Sequence, residues 1–158
     1  MSFVRYMMLL SLVAWIGGLI FFAFVLAPTV FAVLPTRQLA GNVVSRSLGI
    51  LHWMALGCGV VFAITSMIYS RIVNGVLEPF ALRNMLLYLM IILTLVSMFG
   101  IAGRMAVLRE QMGVIDDLPY NDPLRMEFNR LHAWSTRIEG LVLLLGLGLL
   151  YLTTRQLA

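Results

Sequence analysis

LGILHWMALGCGVVFAITSMIYS, residues 48–70, carries no acidic side chain, no arginine or lysine, and one histidine near its start. A helix needs about 20 mostly apolar residues to cross the hydrocarbon core of a bilayer. Three other stretches have the same character, so spans are expected at 4–26, 48–70, 81–102 and 138–152. Lipid offers no hydrogen bonds to open backbone, which makes each span a helix. The whole chain, residues 1–158, therefore reads as one all-α transmembrane domain, an integral membrane four-helix bundle. With 61% hydrophobic and 11% charged residues, it has too little charge to cover the surface of a water-soluble domain.

The span ends are read from breakers and caps. Span one is expected to stop at Pro28, and Arg5 with an apolar run this long suggests a retained anchor, not a cleaved leader. The Pro28–Ser47 connector contains Pro35 and has room for a short interfacial helix. Residues 104–112 lack breakers, so helix three should continue past the membrane, and Gly113 to Pro123 forms a loop in which Asp116 and Asp117 are solvated. Asp122-Pro123 has the form of an N-cap followed by proline at the first helical position. Helix four then starts near 123 and runs to about Leu152, so that helices three and four extend beyond the bilayer as a hairpin.

Within residues 48–70, His52, Ala55, Gly59, Ala63, Ser66 and Ser70 recur at spacings of three and four and share one face. Small residues allow close helix approach in lipid. Corresponding inward stripes are Ser11, Trp15, Gly18 and Phe22 on helix one, with Ala14 and Gly18 a small-xxx-small pair. Ser97, Gly100 and Arg104 align on helix three, and His132, Ser135, Glu139, Leu143 and Gly146 on helix four. Each half of the chain is an apolar helix, a connector with Leu-Pro, and a second helix opened by Leu-His followed by Trp at 53 or 134, a pattern consistent with a duplicated hairpin.

Tyr6, Tyr69, Phe80 and Tyr151 fall at the face bearing the termini, side A, while Phe31, Trp53 and Trp134 fall at side B, as interfacial aromatic belts do. Side B also holds the larger share of the arginines (37, 46, 104, 109, 125, 130 and 137). This favours cytoplasmic Pro28–Ser47 and Gly103–Arg137 connectors and periplasmic termini. The expected location is a bacterial inner membrane, with the lipid bilayer as partner and a homo-oligomer as a candidate assembly.

The only two histidines, His52 and His132, come to the same membrane face in this threading. Neutral imidazole ligates metals and haem iron, which makes the pair candidate ligands for haem b or a transition metal. Glu139 lies two turns below His132 on one face, and a His52, His132, Glu139 set has donors suited to a divalent metal. An intramembrane carboxylate is costly and points to function. The structural alternatives are histidines that anchor helix ends by hydrogen bonds and an ion pair of Glu139 with Arg104 and Arg137. The eleven methionines and Cys58 have no ligand-like spacing and read as packing residues. The chain has no lysine, which excludes Schiff-base chemistry. It has no phosphate-cradling glycine loop, catalytic triad or zinc-protease motif, and its scattered arginines exclude a nucleic-acid stripe.

Trp15-Ile16-Gly17-Gly18, Phe21-Phe22 and Ala27-Pro28-Thr29-Val30-Phe31 resemble the first helix of the transmembrane protein 205-like family, a bacterial domain of unknown function with eukaryotic relatives. Leu34-Pro35, Ala40-Gly41, Leu51-His52 and Gly57-Cys58 fit its following segments. Phe128-Asn129-Arg130-Leu131-His132 with Ser135 resembles its closing Phe-x-x-x-His-x-x-Ser motif. The resemblance implies a four-helix membrane protein with both histidines in motif positions, and no established reaction. The first helix is also similar to four-helix haem-binding membrane proteins of the protoporphyrinogen oxidase and copper-resistance D types. Arg5 and Tyr6 stand where that oxidase has its histidine, and there is no lysine, so its catalytic residues do not carry over. Three functions remain open at this level: a haem or metal site at His52 and His132, a small-solute transporter or efflux element, and a membrane scaffold without ligand.

Overall fold

The computed structural model describes residues 2–113 and 118–157, with side chains described through Arg155. Asp116 and Asp117 lie outside the described residues. Four helices account for nearly all of the rest: α1 (Ser2–Val33), α2 (Arg37–Asn74), α3 (Leu82–Met112) and α4 (Pro123–Leu157). All four are long and apolar enough to cross a membrane, and no strand occurs among the described residues. α1 packs on α2 and α4, and α3 packs on α2 and α4, so the helices form a ring with α1 opposite α3 and α2 opposite α4.

The helices outrun the expected spans, and local chemistry explains where each one ends. α1 does not stop at Pro28. A π-turn segment at Phe22–Leu26 precedes the proline and shifts the hydrogen-bond register where the ring removes a donor. α1 ends instead at Leu34, which is extended (φ −78°, ψ 142°) as the residue before Pro35 must be. The Thr36 hydroxyl accepts from the Leu39 amide at 3.2 Å and caps α2. The connector expected over 28–47 is thus mostly helix, and α2 rises past the span beside α3 and α4. α2 closes at Gly75, whose φ of 73° is the left-handed conformation glycine accepts at low cost. α4 begins as the sequence suggests: Asp122 accepts from the Leu124 and Arg125 amides at 2.9 and 3.3 Å, and Pro123 takes the first helical position.

The side-A half of the bundle is filled. Trp15 is 1% exposed and packs with Leu12, Ile16, Phe62, Leu87 and Met90. A Cβ on Gly59 would stand 3.1 Å from Ile91 and 3.2 Å from Trp15, and one on Gly146 would stand 3.0 Å from Ile16. One on Gly18 would meet Leu51 and Met54 at under 3 Å. These glycines let α1, α2, α3 and α4 approach one another, with Ala55 buried and Ala14 and Ala63 half-buried beside them. Cys58 packs at the edge of the same core.

Two expected placements change. Gly100 and Arg104 do not share the inward face of Ser97; the buried positions are Ser97, Ile101, Leu108 and Met112. α3 contains a second π-turn segment at Val96–Ala102. Its buried positions advance from Thr94 to Ser97, Ile101, Leu108 and Met112 by steps of three, four, seven and four, a regular helical face to one side of which Gly100 and Arg104 lie. Tyr69 is not an interfacial belt residue. It is 5% exposed, and the guanidinium groups of Arg5 and Arg83 lie over its ring. Tyr6, Phe80 and Tyr151 at side A and Phe31, Trp53 and Trp134 at side B are exposed as a belt requires.

Candidate ligand cavity at side B

Above the packed half, the bundle opens. The π-turn segments of α1 and α3 lie toward side B, and residues of both (Phe22, Phe24, Met98, Ala102) line a cavity of about 1260 Å³. Its walls also take residues from the N-terminal part of α2 and the first half of α4. π-turns inside α-helices recur at functional sites.

Below this cavity, a polar network crosses the bundle between the two opposed helices. His52 Nε2 of α2 stands 2.7 Å from Glu139 Oε1 of α4, and the Ser97 hydroxyl of α3 donates to the same oxygen at 2.8 Å. An oxygen that receives a hydroxyl proton is best satisfied as a carboxylate accepting a second proton from Nε2–H. In that tautomer Nδ1 of His52 carries a lone pair. Nδ1 is buried and has no hydrogen-bond partner among the described residues. His52 is 2% exposed and the Glu139 side chain 15%, so the network sits where an unmet polar atom is costly.

The structure thus joins two of the three expected ligand residues. His132 lines the same cavity but is exposed. Among the described residues no three His, Cys, Asp or Glu side chains converge to hold a metal ion, so the His52, His132, Glu139 metal set is not formed. Nor is Glu139 paired with arginine. Arg104 makes a two-armed salt bridge to Glu127, at 2.9 and 3.2 Å, and Arg137 lies over the Trp134 ring. Arg104 is exposed to one side of the buried face of α3, within reach of the outer surface of α4.

Two polar groupings went unread in the sequence. Arg109 of α3 donates to Ser45 Oγ of α2 at 3.1 Å and lies over the Phe128 ring of α4, joining three helices at the cavity wall. At side A, Arg83 donates to Ser66 Oγ at 2.8 Å and to Ser70 Oγ. Ser66 in turn donates to Asn84 Oδ1 at 2.7 Å, and Asn84 Nδ2 donates to the Glu78 carbonyl at 2.8 Å. The signal for this second cluster was present. Ser66 and Ser70 end the small stripe of α2, and their inward hydroxyl oxygens are acceptors that an arginine of the next helix can reach.

These features define a class, a small multi-pass membrane protein built as four helices around a polar crossing point. Within that class the chain belongs to the family described as Domain of unknown function (DUF4149), which matches residues 10–113. The match takes in most of α1, all of α2 and all of α3, hence His52 and Ser97, and ends before α4 and Glu139. No curated protein and no solved structure matches the chain.

Proposed function

We propose that this protein is a ligand-binding membrane protein whose side-B cavity takes up a small amphiphilic molecule from one face of the bilayer. The observation that carries this reading is the pairing of a cavity of about 1260 Å³ with the His52–Glu139–Ser97 network at its inner end. A helical anchor without ligand needs neither an intramembrane carboxylate nor an open upper half. Phe128, His132 and Ser135, the motif that resembles the transmembrane protein 205-like family, all line this cavity. The filled core from Trp15 and Phe62 down to Leu149 supports one-sided binding over passage through a single chain, so a transport role would need a second copy. The arginine majority at side B supports a cytoplasmic opening.

The test blocks the cavity without touching the network. A Cβ at Gly49, on the cavity wall, meets nothing within 4 Å, so Gly49→Trp should fold and fill the space. Solvent extraction of the purified wild-type chain, followed by mass spectrometry, should release one equivalent of an amphiphile that the Gly49→Trp chain lacks. An empty wild-type chain, or equal loading of both, removes the reading.

A second reading is favoured by one observation. His132 presents an exposed imidazole to a cavity that also holds arginines suited to carboxylates. Haem b is the ligand this suggests, with His132 as its axial ligand, while His52 stays engaged by Glu139. Titration with haemin should then give a Soret band that His132→Ala abolishes; no band, or one unchanged in His132→Ala, sets haem aside.

A further inference from the structure

The cavity charge goes further than the presence of a ligand, and this step rests on the binding reading above. We infer that the side-B cavity selects an anionic amphiphile, its phosphate or carboxylate group held by the guanidinium groups of Arg37, Arg46 and Arg109 and its apolar body lying against Leu19, Phe22 and Leu143.

Among the described residues, four arginines line the cavity, Arg37, Arg46, Arg109 and Arg125, against a single acid, Glu139. Glu139 is already engaged by His52 and Ser97, so it does not neutralise the others. Arg125 has other duties, donating to the Leu118 carbonyl and lying over the Tyr120 ring. Arg109 is held in place by Ser45 and Asn42 of α2 and by the Phe128 ring, a fixed donor fork between three helices. A concave wall of one sign concentrates counter-ions, and the planar guanidinium fork matches phosphate and carboxylate geometry. Leu19, Phe22, Leu48 and Leu143 supply an apolar surface that a free inorganic anion would leave unused. Both halves of the lining are satisfied together only by a molecule with an acid head and an apolar tail.

Side B also has arginines that do not line the cavity, Arg130 and Arg137, both exposed. They provide the control against diffuse attraction between a basic surface and acidic lipid. The full chain in neutral detergent is titrated with dioctanoyl phosphatidylglycerol, dioctanoyl phosphatidylcholine and inorganic phosphate, and bound equivalents are read by native mass spectrometry. One equivalent of the glycerol lipid should bind roughly tenfold or more tightly than the choline lipid, with phosphate failing to displace it. Arg37→Gln/Arg46→Gln should erase that preference, and Arg130→Gln/Arg137→Gln should keep it. Arg46→Gln alone, at an exposed position, should weaken it if the double variant does not fold. Equal binding of both lipids overturns the charge selection and leaves the cavity reading standing; binding of neither removes both. Displacement by phosphate, an equal loss in the two double variants, or an unchanged preference in Arg37→Gln/Arg46→Gln and in Arg46→Gln overturns the inference.

Discussion

The two halves of the bundle treat the same four helices in opposite ways. Toward side A, glycines at 59 and 146 bring helices close enough that an added methyl group would press on Trp15, Ile91 or Ile16. Arg83, Ser66, Ser70 and Asn84 are joined there in one network, beside an Arg5 Nε that is buried with no hydrogen-bond partner among the described residues. Toward side B, the bundle opens into a cavity lined in part by the π-turn segments of α1 and α3, and among the described residues His52 Nδ1 has no partner. One half spends its sequence on packing density; the other keeps space, with an intramembrane carboxylate at its inner end. The difference separates what holds the fold from what can meet a ligand.

Substitution at the centre of the packed half should give the largest effect. Trp15→Ala empties a fully buried position, and a loss of about 3–5 kcal/mol is expected on thermal or denaturant unfolding in detergent. Phe24→Ala at the cavity mouth removes a side chain that is 71% exposed and should cost about 0.5 kcal/mol or less. Equal losses would mean that the halves do not differ in packing.

Next comes the junction between the halves. Glu139→Ala removes the acceptor of both His52 and Ser97, and two stranded buried donors cost roughly 2–4 kcal/mol together. Glu139→Gln keeps an oxygen in place and should cost about 1 kcal/mol by the same measure. If both substitutions leave unfolding unchanged, the crossing between α2 and α4 contributes nothing to the fold. Its value would then lie with the ligand alone.

Much of the packed half was legible in the sequence, and less of the open half. The small stripe of α2 and the inward Trp15 follow from helical periodicity, which holds wherever the helix is regular. The Asp122-Pro123 start of α4 was legible for a different reason, since capping is local chemistry. The positions of Gly100 and Arg104 were misplaced because the stripe was drawn by a three-residue step from Ser97, whereas the buried face advances by four to Ile101 and then to Leu108. Arg104, to one side of that face, meets Glu127 and not Glu139. At Pro28 the breaker was visible and its consequence was not: the π-turn at Phe22–Leu26 absorbs the missing donor and the helix continues. Both histidines line one cavity. Their burial differs sharply, however, and this depends on which neighbour reaches each ring, a tertiary fact outside periodicity.

Glycine substitutions sharpen the comparison on a finer scale. Gly59→Ala places a methyl group against Trp15 and Ile91, both confined by the core, and a loss of about 1–2 kcal/mol is expected. Gly18→Ala makes closer contacts, but with the ends of Leu51 and Met54, and Met54 is 41% exposed and free to swing away. Its cost should therefore be smaller than that of Gly59→Ala, although its distances are shorter. Gly148→Ala meets nothing within 4 Å and should leave stability unchanged or slightly raised through helix propensity. Unfolding midpoints in one detergent rank the three, and a reversed order of Gly18 and Gly59 would show that the α1–α2 seam at side B is as rigid as the core below it.

The smallest effect is expected where the geometry looks best. Arg104 and Glu127 form a two-armed pair, yet their side chains are 48% and 33% exposed. Exposed pairs lose to solvent screening and side-chain ordering most of what the charges gain. Arg104→Ala should leave the unfolding midpoint within experimental error, and added salt should not separate it from the wild-type chain. A clear loss would place the upper hairpin of α3 and α4 among the elements that hold the fold. The open half would then owe part of its shape to that clamp.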